Sequence, residues 1–378
     1  MHDMKCIDEI PAADLKGKLV LVRGTLDLPL DDAGQVSDTF RLTQACKTID
    51  FLSSAGAKVV LIGKIGRDPQ VSMAPVAEAM KKRRKVFFVP DILGAPARSA
   101  VAAMQDGDVV LLENLQQDPR EVAGDDSFAQ ELASFGEMYV NDAFLSAHRA
   151  SASMIGIPRF LPSFAGIQFC EEIREIDAAR APLSPSFAIL GGAKFETKEP
   201  LIKLLLEKYD HVFIAGALAN DVFKAQGLEV GRSLISEQSP DASVLDHEHF
   251  LAPIDVTVEN AEGQARVKKP DAVEPGEKIV DIGPDSVAMI APLIARARFI
   301  LWNGPTGLYE EGYAHYTHAI AELVAKSDAR KVIGGGDTIA AIQESDTDEK
   351  RLGFLSTGGG AMLEYLLKGT LPGIEALG

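Results

Sequence analysis

The stretch Lys331-Val-Ile-Gly-Gly-Gly-Asp-Thr-Ile-Ala-Ala-Ile342 predicts a buried strand, a glycine-rich turn and the start of a helix. Its first residues are β-branched and apolar, as in the core of a sheet. Asp337 and Thr338 are favourable N-caps for the helix that follows. Such a turn presents free backbone N–H groups and the positive end of a helix dipole, and glycine allows an anion to approach them closely.

A second stretch, Phe354-Leu-Ser-Thr-Gly-Gly-Gly-Ala-Met-Leu-Glu364, repeats this pattern twenty residues later. One glycine turn alone is as typical of a tight strand-to-helix connection as of an anion site. Two such turns after neighbouring strands favour a phosphate-bearing ligand at the carboxyl edge of a parallel sheet.

Length and composition predict a globular protein of two domains, since a chain of 378 residues is longer than one hydrophobic core ordinarily accommodates. The three cysteines (Cys6, Cys46 and Cys170) have neither metal-binding spacing nor the even number of a disulfide framework. The first residues lack a signal-peptide pattern, and no run of about 18 apolar residues occurs, so we expect a cytoplasmic protein. The net charge of −17 argues against nucleic acid or an anionic membrane as the main partner.

Strand and helix patterns alternate along the chain, which predicts an α/β fold with βαβ units and parallel sheets. The alternation is interrupted at 159–186, where the charged segment Glu171–Arg180 predicts an interdomain helix. The segment Glu259–Glu277 predicts a small β excursion. The predicted strands are Leu19–Arg23, Lys58–Gly63, Lys85–Pro90, Asp108–Leu112, Glu137–Asn141, Phe187–Leu190, Val212–Ala215, Ala297–Trp302, Lys331–Ile333 and Phe354–Ser356. The predicted helices start at Arg41 and lie near Met73–Lys82, Ala97–Met104, Ser127–Ser134, Glu199–Glu207 and Asn220–Ala225.

In the first half, basic residues follow the predicted strands, and Arg41 opens the first helix. The carboxyl ends of parallel strands lie on one edge of a sheet, so these residues are expected to converge there. Arginine binds phosphate and carboxylate with two parallel hydrogen bonds. The basic residues are Arg23, Lys64, Arg67, His148 and Arg149.

In the second half, Gly191-Gly-Ala-Lys194 follows a strand, and Lys198 comes four residues later. Two lysines one helical turn apart can point the same way, so both are candidate phosphate ligands. Glu310 lies just beyond Trp302-Asn-Gly-Pro-Thr-Gly307, where a carboxylate suits ribose hydroxyls.

Taken together, these segments resemble phosphoglycerate kinase over nearly the whole chain. No dinucleotide-binding or Walker-type glycine motif is present. The resemblance rests on Leu21-Val-Arg23, Asp38-Thr-Phe-Arg41, Gly66-Arg67, Leu111-Leu-Glu-Asn-Leu115, Val140-Asn-Asp-Ala-Phe144, Ala147-His-Arg149, Gly191-Gly-Ala-Lys194, Lys224-Ala-Gln-Gly-Leu-Glu-Val-Gly231, Asp281-Ile-Gly-Pro284, Trp302-Asn-Gly-Pro305, Gly334-Gly-Gly-Asp-Thr338 and Ser356-Thr-Gly-Gly-Gly360.

The resemblance implies two Rossmann-like lobes that close about a hinge, and a glycolytic kinase that transfers a phosphoryl group between 1,3-bisphosphoglycerate and ADP. It implies an N-terminal acceptor lobe (1–168), an interdomain helix and linker (169–185), a nucleotide lobe (186–355) and a C-terminal segment (356–378) that returns to the first lobe. We expect a monomer that uses Mg²⁺ and ATP or ADP.

The resemblance also implies residue roles. Arg41 and Lys194 are the expected catalytic residues, and Asp337 is the expected metal ligand. The acceptor site comprises Arg23, Thr25, Asp27, Arg41, Lys64, Arg67, Gln116, His148 and Arg149. The nucleotide site comprises Lys194, Lys198, Asn303, Glu310, Gly335, Gly336, Asp337 and Thr338.

Departures from the family pattern concentrate in the acceptor site. After Arg23 the family runs Val-Asp-Phe-Asn-Val-Pro, and here Thr25 and Asp27 replace its Asp and Asn. Lys64 replaces a His. Gln116 replaces an Arg that follows Glu-Asn-x, and Leu145 replaces a Gly. In the nucleotide lobe, Ala217 replaces a Gly and Thr197 an Asp.

These departures leave three functions open. The first is a phosphoglycerate kinase with a remodelled acceptor site, in which Asp27 weakens acceptor binding and Lys64 compensates for the lost arginine. The second is a kinase for another phosphorylated carboxylate, and the third is a nucleotide-binding regulatory protein with little activity. An enzyme is favoured by the retention of Arg41, Lys194, Lys198 and Asp337.

Overall fold

Two six-stranded parallel β-sheets organise the chain, which the computed structural model describes from residue 4 to residue 378. The chain divides into two units, one formed by residues up to Arg174 together with Lys368–Gly378, the other by Glu175–Leu367. The first three residues of the predicted N-terminal lobe lie outside the described residues. The predicted fold class, α/β with two parallel sheets, is confirmed.

The sheet of the first unit has the order β3-β4-β2-β1-β5-β6, with every neighbouring pair parallel. The order reverses at β1, because β2 pairs with one side of that strand and β5 with the other. The strands are β1 Leu19–Gly24, β2 Lys58–Ile62, β3 Phe87–Phe88, β4 Val109–Leu111, β5 Met138–Asp142 and β6 Ser163–Ala165. The helices are α1 Ala12–Leu15, α2 Thr39–Ser54, α3 Ala74–Lys81, α4 Ala95–Ala102, α5 Pro119–Ala123, α6 Asp126–Ala133 and α7 Ile167–Arg180.

The sheet of the second unit has the order β15-β14-β13-β7-β8-β9 and is also parallel throughout. A smaller antiparallel sheet, β11-β10-β12, accounts for the predicted β excursion. The strands are β7 Ser186–Leu190, β8 His211–Ile214, β9 Phe250–Leu251, β10 Val256–Glu259, β11 Ala265–Lys268, β12 Lys278–Ile282, β13 Phe299–Asn303, β14 Arg330–Gly334 and β15 Phe354–Ser356. The helices are α8 Phe195–Lys208, α9 Ala217–Ala225, α10 Ala242–Leu245, α11 Pro284–Arg296, α12 His315–Lys326, α13 Gly336–Gln343 and α14 Gly360–Lys368, and α15 Pro372–Glu375 follows in the first unit.

Two apolar layers enclose the sheet of the first unit. Side chains of β1 alternate between them: Val20 and Val22 lie in one cluster with α2 and α3, and Leu21 lies in the other with α4 and α6. Alternation follows from the pleat of a strand that is buried on both faces. This burial fixes the register of β1 and therefore the position of Arg23 near its carboxyl end.

Several helices begin earlier than the sequence predicts. Helix α7 starts at Ile167 rather than Glu171, and α8 starts at Phe195 and continues through Pro200. Pro200 is the sixth residue of α8 and lies inside the helix, where proline removes one backbone hydrogen-bond donor without ending the helix. The strands β6 and β9, of three and two residues, were not predicted.

A disulfide bond joins Cys6 to Cys170, 164 residues apart, which the count of three cysteines did not indicate. Cys6 also forms a parallel bridge with Ala165, and Ala165 N donates to Lys5 O at 2.9 Å. The bond therefore fastens the segment before β1 to the edge of the sheet and to α7. Cys46 is buried and free.

We predict that Cys6→Ser lowers the free energy of unfolding by about 2–5 kcal/mol, because a cross-link over a long loop restricts the unfolded chain. Chemical denaturation under non-reducing conditions measures the change. Cys170→Ser is the matched variant and should give the same value, since both remove one bond. A reducing agent should destabilise the parent protein and leave both variants unchanged; an unaffected parent would contradict the prediction.

Candidate active site

Four strands of the first unit end where candidate acceptor residues begin. Arg23 lies near the end of β1, Lys64 follows β2, Gln116 follows β4 and Arg149 follows β5. These four residues line one cavity of about 220 Å³. The cavity thus lies at the carboxyl ends of the strands where the strand order reverses, which is the ligand position of open α/β sheets.

Of the other predicted acceptor residues, Thr25, Asp27, Arg41, Arg67 and His148 do not line this cavity. Thr25 is buried, and its hydroxyl donates to Asp142 O at 2.8 Å. Arg67 and Arg149 are exposed. Arg149 Nε lies 3.4 Å from His148 Nε2.

Arg23 is a buried cation with only 2% of its surface exposed. Its Nη1 donates to Gly24 O at 2.7 Å, and its Nε donates to Ser153 Oγ at 3.1 Å. Ser153 Oγ in turn donates to Glu121 Oε1 at 2.6 Å. Glu121 is itself buried and lines the cavity, so a hydroxyl bridges the guanidinium and the nearest buried carboxylate.

Lys64 is also buried, with 7% exposed, and its ammonium pairs with Asp27. Sequence reasoning assigned these two residues separate and opposite effects on acceptor binding, whereas the structure joins them. Glu121, Ser146 and Ser151 were missed as cavity residues. No residue pattern pointed to them, since Glu121 lies on the five-residue helix α5 and the two serines lie in the segment that follows β5.

Arg41 is the third residue of α2 and is held by the residue that caps this helix. Asp38 Oδ1 accepts from Arg41 N at 2.8 Å, and Asp38 Oδ2 lies 3.2 Å from Arg41 Nε. About a quarter (24%) of the Arg41 side chain remains exposed. The guanidinium is therefore oriented by one carboxylate and accessible to a ligand.

In the second unit, the loops after β7 and β13 meet at the corresponding point of the sheet, and a cavity of about 230 Å³ lies beside them. Gly191 and Gly304 are in such close contact that a Cβ on either would clash with the backbone of the other loop. This explains why both loops carry glycine. The apolar part of the cavity is formed by Phe223, Leu234, Val256, Ile279 and Leu308, and its polar part includes Asn220, Glu310 and Asp337.

Lys194 has a left-handed backbone conformation, with φ of 68°, and it is the one residue besides glycine among residues 4–378 with a positive φ. This conformation costs a side-chain-bearing residue about 1–2 kcal/mol. Lys194 is the N-cap of α8 and does not belong to the helix, so the helical spacing assumed for Lys194 and Lys198 does not apply.

Lys198 lies in the first turn of α8 and points back to the glycine loop, where its Nζ donates to Gly191 O at 2.6 Å. Burial lowers the pKa of Lys198 to about 8, although the negative charge of Asp337 acts in the opposite direction. Lys198 therefore loses its charge at a much lower pH than an exposed lysine.

The opening glycine stretch forms the end of β14 and the start of α13, as predicted, but its capping differs. Gly335, with φ of 96°, is the N-cap of α13, so the prediction that Asp337 or Thr338 caps this helix is wrong. Asp337 lies exposed in the first turn. Thr338 is fully buried, and its hydroxyl accepts from Gly304 N at 2.7 Å, which links the turns after β13 and β14.

Of the predicted nucleotide residues, Glu310 and Asp337 line the cavity, and the nucleotide contacts of all eight stay predictions. The predicted residues that do not line it are Lys194, Lys198, Asn303, Gly335, Gly336 and Thr338. Tyr309 and Asp281, which do line it, were not singled out as site residues. Burial, together with the charges of Asp337 and Glu310, raises the pKa of Tyr309 to about 12. Burial raises the pKa of Asp281 to about 7, against hydrogen bonds from Ile282 N and Thr306 Oγ1.

Among residues 4–378, no three His, Cys, Asp or Glu side chains are grouped as a metal site. A magnesium ion nevertheless needs only one or two carboxylates when substrate phosphates supply further oxygens. The exposed carboxylate of Asp337, beside the glycine turns, fits that requirement.

Comparison with known proteins gives a consistent result. The sequence model of the phosphoglycerate kinase family matches residues 10–369. The chain is 38% identical to the phosphoglycerate kinase of Gloeobacter violaceus, with 99% of this chain and 98% of the relative covered. It is 40% identical to that of Moorella thermoacetica, with 96% and 97% covered.

Solved structures agree. The structure of phosphoglycerate kinase from Coxiella burnetii superimposes with a TM-score of 0.85 at 32% identity, covering 99% of this chain and 98% of that one. The enzyme from Pyrococcus horikoshii gives 0.86 at 27% identity, with the same coverage. The chain belongs to the phosphoglycerate kinase family.

Proposed function

We propose that this protein catalyses reversible phosphoryl transfer between 1,3-bisphosphoglycerate and ADP, which yields 3-phosphoglycerate and ATP. The observation that carries the proposal is the set of cations at the strand ends of the first unit. Arg23, Lys64 and Arg149 line one small cavity in a chain whose net charge is −17. Such local positive charge suits a substrate with a phosphate and a carboxylate.

Within the first unit, Arg23, Lys64 and Arg149 bind the acceptor directly in this proposal. Arg67, His148, Thr25 and Gln116 surround them as predicted acceptor contacts. Arg41 neutralises the charge of the phosphoryl group as it is transferred. Phosphoryl transfer requires little covalent chemistry from the protein, so positioning and charge neutralisation carry the catalysis.

Within the second unit, the base and ribose occupy the cavity beside Phe223, Leu308 and Glu310, and Glu310 accepts from the ribose hydroxyls. The glycine turns with Gly335 and Gly336 cradle the phosphates by their backbone N–H groups. Lys198, Asn303 and Thr338 complete the phosphate site. Lys194 meets the transferring phosphoryl, and its left-handed conformation supports this role, since strained residues concentrate at functional sites.

Magnesium ion, when bound with the nucleotide, neutralises phosphate charge. Asp337 would hold it through its carboxylate. This chain's own contribution is then to fix the phosphate oxygens with Lys198 and the glycine turns. The carboxylate of Asp337 also faces Lys198 and favours the charged ammonium.

One observation favours a second candidate, a kinase for another phosphorylated carboxylate. Gln116 stands where the family has arginine, and its buried Oε1 has no hydrogen-bond partner among the described residues. An amide there binds a hydroxyl more readily than a phosphate. An assay that couples ATP and 3-phosphoglycerate consumption to NADH oxidation distinguishes the two, because the second candidate predicts no activity with 3-phosphoglycerate.

We further propose that the protein is a monomer and that it acts in the cytoplasm, where its nucleotide and phosphorylated substrates are found. Among residues 4–378 no helix has both the length and the apolar character needed to cross a membrane. The Cys6–Cys170 bond of the structure is expected to be reduced to two thiols in the cytoplasm and to form under oxidising conditions. Light scattering tests the oligomeric state.

We predict that Arg41→Ala lowers kcat and kcat/KM together, on the order of 10²–10³-fold, because a contact made mainly in the transition state is lost. Steady-state kinetics with both substrates measure the effect. Arg159→Ala is the matched control, since Arg159 is an exposed arginine of the same unit that pairs with Asp126. An increase in KM alone would assign Arg41 to binding and contradict the catalytic role.

We also predict that nucleotide affinity depends on the charge of Lys198. The ammonium is charged below its pKa of about 8 and neutral above it, so affinity for ATP should be constant near pH 7 and fall as the pH rises beyond about 8. Calorimetry measures this profile.

Lys198→Ala should bind ATP weakly at every pH and lose the alkaline decline. Lys203→Ala is the matched control, because Lys203 is an exposed lysine of the same helix that pairs with Glu199. Equal ATP affinity in Lys198→Ala and the parent would remove Lys198 from the site.

A further inference from the structure

Asp27 and Lys64 form an ion pair at the wall of the acceptor cavity. Lys64 Nζ contacts Asp27 Oδ2, and the two side chains are 9% and 29% exposed, respectively. The other carboxylate oxygen, Asp27 Oδ1, accepts from Gly66 N at 2.8 Å. One carboxylate therefore holds both the lysine and the loop that leads to Arg67.

The charges that face Lys64 come from several elements. Arg23 on β1 and Arg149 after β5 are cationic, and Glu121 of α5 lines the same cavity. Burial lowers the pKa of Lys64, and so do the charges of Arg149 and Arg23, whereas the hydrogen bond and charge of Asp27 act in the opposite direction. Asp27 is thus the contact that keeps a buried ammonium charged beside two guanidinium groups.

Charge counting suggests why both positions differ from the family. An asparagine with a neutral histidine carries no net charge, and an aspartate with a lysine carries none either. Exchange of one position alone would leave an unpaired charge in a mostly buried site, which is costly. The two departures are therefore one coupled exchange, not two independent ones.

We infer that Asp27 and Lys64 act as one specificity-determining unit, in which Asp27 is a positioning residue that directs the Lys64 ammonium toward an anionic oxygen of the acceptor. This inference rests on the proposed function and deepens it. The unit selects an acceptor with a carboxylate or phosphate oxygen at that point, since an ammonium donates hydrogen bonds and accepts none.

The inference reverses what the two residues predict separately. Taken alone, Asp27 repels an anionic acceptor, so Asp27→Asn would improve its binding. Taken as a unit, Asp27→Asn removes the counter-charge of Lys64, although the amide oxygen can still accept from Gly66 N, so acceptor binding weakens.

The test is a double-mutant cycle of Asp27→Asn, Lys64→His and the double variant, with kinetics over a range of pH. Asp27→Asn should raise KM for 3-phosphoglycerate about 10-fold, leave KM for ATP unchanged and move the alkaline limb of kcat/KM to lower pH. Lys64→His should raise KM about 10- to 100-fold, because it leaves the carboxylate unpaired beside the ligand.

The double variant should recover to within about threefold of the parent, because it restores a neutral pair. Asp27→Glu keeps the charge and should retain the alkaline limb of the parent. A lower KM in Asp27→Asn, or losses that simply add in the double variant, would overturn the inference.

A ligand-free measurement separates this inference from the proposed function. The pKa of Lys64 Nζ, followed by NMR of lysine labelled with nitrogen-15, should fall in Asp27→Asn and stay in place in Asp27→Glu. No fall would overturn the pairing even in a protein active with 3-phosphoglycerate. Inactivity of the parent with that substrate would overturn the proposed function and leave the pairing intact.

Discussion

The first unit depends on the burial of one cation, Arg23, near the carboxyl end of the central strand. A buried guanidinium is tolerated only when its N–H groups have partners and a counter-charge lies nearby. Gly24 O and Ser153 Oγ accept hydrogen bonds from Arg23, and Ser153 Oγ in turn donates to the buried Glu121. Glu121 also accepts from Ser153 N and Ser151 Oγ, so the turn after β5 and helix α5 are held in place by the same network. In the proposed function, the anionic acceptor adds a further counter-charge to this network.

In the proposed function, both units bind a phosphate at the reversal point of a parallel sheet, but they do so with different chemistry. The first uses cationic side chains, because its cavity lies among Arg23, Lys64 and Arg149. The second uses the backbone, because the loops at Gly191 and Gly304 are in contact and leave no room for side chains. Backbone N–H groups carry no net charge, so Lys198 supplies the positive charge of this site. A buried lysine is easily neutralised, so this site is sensitive to pH in a way that an arginine site is not.

The main strands and helices were predictable from the sequence. Strands buried on both faces appear as runs of apolar residues, and the helices that cover them appear as periodic apolar patterns. The features that were not predicted share a physical cause, because each of them depends on contacts between residues distant in sequence. The two-residue strand β9 is defined by its pairing with β8, not by its own composition. Cys6 and Cys170 meet only because the segment before β1 runs beside β6. Capping of α13 by Gly335 follows from the close packing of glycine turns, which overrides the preference of Asp and Thr for that position.

Prediction of the site from sequence named four polar residues that line the first cavity and two that line the second, but it treated each as independent. Arg41 and Arg149 both remain accessible to a ligand, although Asp38 orients the guanidinium of Arg41. The assumption of independence fails for Asp27 and Lys64, because the effect of a mostly buried charge depends on the charge nearest to it. At such a position, the residue alone therefore does not determine whether a departure from the family pattern strengthens or weakens acceptor binding. Aspartate in place of asparagine is unfavourable beside an anion and favourable beside a buried lysine, and only the geometry decides between them.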